Sequence, residues 1–118
     1  MSNHETITGS ELISRSLMAE GVENIFTLAG DHVLPALDDM GGRDFKIWDT
    51  RHEQAAVHMA DAWGRVTNKL GVSLYTTPGL ANAIPGLANA IHSESPILSI
   101  SGCAELAELG RGAMQEID

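Results

Sequence analysis

The chain is poor in cysteine. Cys103 stands alone among 118 residues, so no disulfide can close within the chain, and such usage fits a reducing compartment. It is poor in positive charge as well: seven Lys and Arg against sixteen Asp and Glu leave a net charge of −9. Nucleic-acid backbones and anionic membrane surfaces are gripped by clustered cations, so both kinds of partner are disfavoured. No apolar run approaches the ~20 residues a membrane-spanning helix needs. The opening MSNHETITGSEL lacks the basic-then-apolar order of a secretory signal. A cytoplasmic protein is the expectation. With 43 % hydrophobic and 19 % charged residues, the chain can bury a core and suits one compact domain. Cys103 follows an apolar run and reads as a buried, inert thiol.

Several catalytic signatures are missing too. His52-Glu53 is followed by Gln54-Ala55-Ala56, so there is no HExxH, and a zinc site is not supported. His52 and His58 are six apart and fall on opposed helix faces. No nucleophile elbow, Walker loop or GxGxxG occurs. Gly30-Asp31 is not followed by Gly, so it does not read as a magnesium-diphosphate loop.

What is present is an alternation of helices and strands. Residues 10–20 read as a helix with Ser10 as cap and Gly21 as stop. NIFTLA at 24–29 reads as a buried strand, 33–40 as a short helix, and FKIWDT at 45–50 as a second strand. Residues 52–67 give the strongest helix, with Ala55, Ala56, Met59, Ala60, Trp63 and Val66 on its apolar face. Residues 71–77 predict a third strand, Pro78–Gly79 a turn, 82–92 a buried helix rich in small residues, and 96–101 a fourth strand. Residues 104–118 carry no clear periodicity. The alternation implies an α/β domain, a parallel sheet flanked by helices, over residues 10–118 behind a polar tail at 1–9. The apolar strands imply that both sheet faces are covered. Four strands, where five or six are usual, make the domain look cut short at its C-terminal end.

One repeat exists. PGLANAI at 78–84 recurs unchanged at 85–91. Seven residues are about two helical turns, so the copies present equivalent faces, and their small residues let a neighbouring element come close. Pro85 fits the first turn of a helix or a mild kink.

In an open parallel sheet, ligands bind beyond the C-terminal strand ends. The loops there would be 30–32, 51–53, 76–79 and 102–103, so Asp31, His32, His52 and Glu53 could converge. From position alone, Glu53 could equally do no more than complement the dipole of its own helix.

The segment Asp49-Thr50-Arg51-His52-Glu53-Gln54-Ala55-Ala56-Val57-His58-Met59-Ala60-Asp61-Ala62-Trp63-Gly64-Arg65 resembles the RHEQxAxHMAxGYAR block of thiamine-diphosphate-dependent enzymes, with the acetolactate synthase and benzaldehyde lyase branches nearest in character. Residues 26–35 resemble the family's first strand-loop segment, 76–82 its SGPGxxN loop, 96–102 its PxLxISG strand and 114–118 its FQEID turn. The resemblance spans about residues 8–118. Each motif is modest alone; their order and spacing carry the resemblance.

The resemblance implies the N-terminal, pyrimidine-binding domain of such an enzyme. Glu53 would hydrogen-bond N1′ of the cofactor's aminopyrimidine and favour the imino tautomer that removes the C2 proton of the thiazolium. Thr77, Pro78, Gly79 and Asn82 would pass close to the pyrimidine, with Thr77 departing from the family's usual Gly. Asn82 could instead brace its own helix. Gly30-Asp31-His32 matches the Gly-x-His of benzaldehyde lyase, so His32 would face the substrate carbonyl and relay protons, and Gln115 would face the same pocket. His52 would orient its loop, His58 would lie in the core or an interface, Trp48 and Trp63 would pack, and Arg51 would pair with an acid at the interface.

The diphosphate and Mg²⁺ would be held by a separate domain absent from this chain, supplied by another subunit of a homodimer or homotetramer. A middle domain could carry FAD, an acyl-CoA or nothing. The reaction implied makes or breaks a carbon–carbon bond next to a carbonyl, in a 2-hydroxy ketone or 2-keto acid. The alternatives are acetolactate synthase proper and a non-catalytic domain that keeps the fold. The chain alone is expected to be inactive.

Overall fold

The computed structural model describes residues 6–117. The elements follow in the order α1 (Gly9–Ala19), β1 (Asn24–Thr27), a 3₁₀ turn (Asp31–Val33), α2 (Leu34–Gly41), β2 (Lys46–Asp49), α3 (Glu53–Thr67), β3 (Gly71–Thr76), α4 (Thr77–His92) and β4 (Ile97–Gly102). The strands form one sheet in the order β2-β1-β3-β4, and every pairing is parallel. Phe26 lies opposite Trp48 on one side and Ser73 on the other.

Strand alternation divides the core. Ile25, Val72 and Leu74 join Leu17, Val22 and Met40 under α1 and α2. Phe26 points the other way, to Ala56 and Ala60 of α3, while Tyr75 meets Val57 and Ala83. The two helix layers and the sheet between them confirm the α/β reading.

Several boundaries and faces differ from expectation. Thr8, not Ser10, caps α1: its Oγ1 accepts from Glu11 N at 3.1 Å. Pro78 and Gly79 are not a turn, because α4 begins at Thr77 and Pro78 sits in its first turn, where a missing N–H costs nothing. Pro85 is therefore inside the helix, not at its start. Both it and Ala81, whose carbonyl loses its donor, are exposed, so water can satisfy that oxygen. Nor is α4 buried all round: Gly79, Ala83, Gly86 and Ala90 are covered, while Ile84 and Ile91 are exposed.

The covered face of α3 is Glu53, Ala56, Val57, Ala60, Asp61 and Gly64, turned away from the predicted one. Ala55 and Met59 are exposed, and Val66 is 85 % exposed. Hydropathy misled because two acids were taken for surface residues. Only the central strands β1 and β3 are buried throughout; β2 is an exposed edge strand. Trp48 is 47 % exposed, held by Nε1 donating to Asn24 Oδ1 at 2.8 Å. Trp63 does pack against the Phe26 cluster. Residues 104–117 form turns without a helix or strand.

Candidate functional site

All four strands run in one direction, so the loops that follow them meet at one edge. Each is fitted tightly to its neighbour. A Cβ at Gly30 would lie 2.6 Å from Thr76 Cγ2, and one at Gly102 2.9 Å from His32 Cβ. Thr77 Oγ1 donates to Gly102 O at 2.7 Å, tying the start of α4 to the end of β4.

Glu53 is the first residue of α3 and is 8 % exposed. The turn that presents it is fixed from both sides. The Thr50 hydroxyl reaches Thr27 O at 2.9 Å and His52 O at 3.0 Å. His52 is extended at φ −161° and caps α3 through Nδ1, which accepts from Gln54 N at 3.2 Å. Its position is that of a loop-orienting residue, as expected, and its ring is committed to the cap. Asn82 Nδ2 donates to Glu53 Oε2 at 3.0 Å; among the described residues no other group donates to this carboxylate. Gly79 lies flush on it, for a Cβ there would come 2.7 Å from Glu53 Cγ and 2.8 Å from Oε1. Asn82 therefore reaches across to α3 rather than bracing its own helix.

His32 occupies a second place on the same edge. With Asp31, Cys103, Glu105, Glu108 and Met114 it lines a cavity of about 350 Å³. Its Nδ1 is buried without a hydrogen-bond partner among the described residues. Glu53 is not in this cavity wall, so the four residues expected to converge form two subsites: Asp31 and His32 in one, Glu53 in the other, with His52 turned to its cap. The link between them runs from Gly79 and Thr77 through Gly102 to His32. Gln115 is exposed at φ 61° and lies outside the cavity wall, although its neighbour Met114 is part of it.

Cys103 is exposed and not the buried thiol expected. The apolar run ends one residue earlier than its side chain, and Cys103 opens onto the cavity. His58 is exposed and so not in the core, and it meets Gln54 Nε2 at 3.3 Å. Arg51 pairs with Asp49 at 2.7 Å on the surface. One organising residue was missed. The Glu116 carboxylate accepts from the N–H groups of Gly110, Gly112 and Ala113; the Gly110 bond foremost holds its pKa below the usual carboxylate value. The two glycines, at φ 76° and 72°, were the available signal for such a clasp. Among the described residues no three His, Cys, Asp or Glu side chains cluster as a metal site.

The family profile for the thiamine pyrophosphate enzyme N-terminal TPP binding domain matches residues 7–118. The chain belongs to that family. Among similar proteins, 2-hydroxyacyl-CoA lyase 2 of Caenorhabditis elegans is 46 % identical over 111 residues, covering 93 % of this chain and 17 % of the relative. Acetolactate synthase isozyme 3 large subunit of Escherichia coli is 42 % identical over 118 residues, covering 97 % and 20 %. The human 2-hydroxyacyl-CoA lyase 2 is 40 % identical over 93 % of this chain and 18 % of its own length. The chain thus spans about a fifth of the length of these relatives.

The residues present fit the cofactor that the family name implies. A carboxylate with one oxygen held and one left without a donor, walled by a glycine, suits a flat heterocycle that offers a ring nitrogen.

Proposed function

We propose that this chain is the pyrimidine-binding domain of an enzyme that makes or breaks a carbon–carbon bond beside a carbonyl, with Glu53 as the activating carboxylate. The observation that carries the reading is the buried, half-satisfied Glu53 carboxylate between Asn82 and Gly79. When bound, thiamine diphosphate would supply a nucleophilic carbon for attack on a carbonyl and a cationic ring that takes up the electron pair of the adjacent bond. Glu53 would hold a proton toward the pyrimidine ring nitrogen, and its burial excludes water that would compete for it. Thr77, Pro78 and Gly79, in the first turn of α4, form the wall against the ring, and Asn82 holds Glu53 beside it. His32, which lines the adjoining cavity, is placed to pass protons to a small carbonyl substrate. Gln115 joins that wall when the turn at 114–117 is covered by a partner.

The substrate class is a 2-hydroxy ketone, 2-hydroxyacyl compound or 2-keto acid, cleaved, joined or decarboxylated. The names of the two groups of relatives favour lyase and acetolactate synthase chemistry alike; His32 at the cavity supports the lyase. Mg²⁺ and the diphosphate belong to a separate domain of a neighbouring subunit in a homodimer or homotetramer. The exposed apolar row Leu80, Ile84 and Ile91 on α4 supports such a covering partner. No helix of the described residues is long and apolar enough to cross a membrane, and a cytoplasmic site of action is part of this proposal.

The test is Glu53→Gln in the full-length protein. C2 proton exchange of bound thiamine diphosphate falls by on the order of 10²- to 10⁴-fold while the thermal midpoint is kept. Wild-type exchange in this variant refutes the reading.

A further inference from the structure

The repeat in α4 has a partner pattern on α3. Asn82 and Asn89 are the same position of the two PGLANAI copies. Asn82 donates to Glu53 at 3.0 Å and Asn89 Nδ2 donates to Asp61 Oδ2 at 2.8 Å. Gly79 and Gly86, another equivalent pair, abut Glu53 and Val57. The two helices run side by side in the same sense, joined by two acid–amide bridges. One of them holds the carboxylate assigned to the cofactor.

We infer that Asn82 is a positioning residue of Glu53 rather than a cofactor ligand, and that it confines the mobile proton of Glu53 to Oε1. An asparagine Nδ2 can only donate. The oxygen it contacts, Oε2, must therefore accept whether the carboxyl group is ionised or protonated. A carbonyl oxygen accepts better than a hydroxyl oxygen, so this bond favours the acidic hydrogen on Oε1. That is the oxygen beside Gly79, the one to which no described group donates. A carboxylic acid free to turn would present hydrogen and lone pair at random; this one presents a single oxygen to the ring nitrogen. The inference rests on the assignment of Glu53 made above.

The test combines a measurement without cofactor and one with it. In protein labelled with ¹⁵N-asparagine and free of cofactor, the Asn82 side-chain amide resonance moves in Glu53→Ala and stays in Asp61→Ala, while Asn89 does the reverse. An Asn82 resonance indifferent to Glu53→Ala overturns the inference. In full-length protein with thiamine diphosphate, Asn82→Ala and Asn82→Asp both slow C2 proton exchange by roughly 10- to 100-fold, the usual loss when an outer partner of a reacting group is removed. Cofactor affinity by calorimetry changes by less than about threefold, since no contact to the ring is lost. Asn82→Asp keeps the shape but offers Oε2 an acid to share a proton with, so it is at least as slow as Asn82→Ala; Asn89→Ala exchanges normally. Wild-type exchange in Asn82→Asp, or a loss of affinity matching the loss of rate, overturns the inference while Glu53→Gln still marks Glu53 as essential. Normal exchange in Glu53→Gln overturns both.

Discussion

The two ends of the α3–α4 seam are built from the same seven residues of α4 used twice, yet they leave their acids in different states. At the far end both Asp61 oxygens are occupied: Asn89 donates to Oδ2, Ser95 Oγ to Oδ1, and Arg65 stands 3.8 Å away. At the sheet edge Glu53 receives, among the described residues, one donor, on Oε2. Both are buried, at 4 % and 8 % exposure. A buried carboxylate with a donor on each oxygen is structural cement; one left with an open oxygen can take a ligand. Identical residues on α4 thus leave one acid with both oxygens held and the other with one open, according to what lies around each acid.

The sharpest way to break this comparison is to exchange the two losses. Glu53→Gln should remove nearly all C2 proton exchange and little stability. Asp61→Ala should do the opposite: it removes the hydrogen bonds that Asn89 and Ser95 make to a buried carboxylate and lowers the unfolding free energy by about 2 to 3 kcal/mol in urea titration, with exchange of the folded fraction kept. Similar losses of exchange in both variants would erase the distinction.

The glycines sharpen it further. Gly79→Ala pushes on the Glu53 side chain at 2.7 Å, and a displaced reacting group can cost up to about 100-fold in rate. Gly86→Ala meets Val57 Cβ at 3.0 Å, an overpacking worth about 1 to 3 kcal/mol that shows in the melting temperature and not in exchange per folded molecule.

The smallest effect lies on the other helix layer, where the acids serve only the fold. Asp39 is bonded to Arg43 at 2.7 Å, which holds its pKa at about 2 against an ordinary 3.8. A carboxyl whose folded pKa is depressed stabilises fully above the unfolded value. This contribution is present above pH 3.8 and is lost as pH falls through that value toward about 2. Asp39→Asn should flatten the fall of stability in that window and change nothing at pH 7 in the exchange assay.

Much of the fold was readable in the sequence because alternating helices and apolar strands admit few arrangements. The edge that gathers the loops followed from that. What stayed hidden depended on contacts between distant residues. The α3 face was misplaced because a buried acid counts as polar until its asparagine, 28 or 29 residues on, is known. Pro78-Gly79 looked like a turn because the dipeptide signals one, whereas a strand leading straight into a helix uses Pro just as well. His32 and Glu53 were both legible as candidates, but their separation into two subsites depends on how Thr77 and Gly102 are joined.

The duplicated segment also bears on the length of α4. Adding or removing one seven-residue copy would turn the helix face by only ~20°, so the row of Gly79, Ala83, Gly86 and Ala90 would survive either change. Facing alone places no limit on the number of copies. The limit comes from Asp61, which takes Asn89 from the helix and Ser95 from the turn beyond it. A third copy would carry that turn ~10 Å past its anchor. Asp61 thus serves as a length gauge, setting where the chain leaves the helix and enters β4.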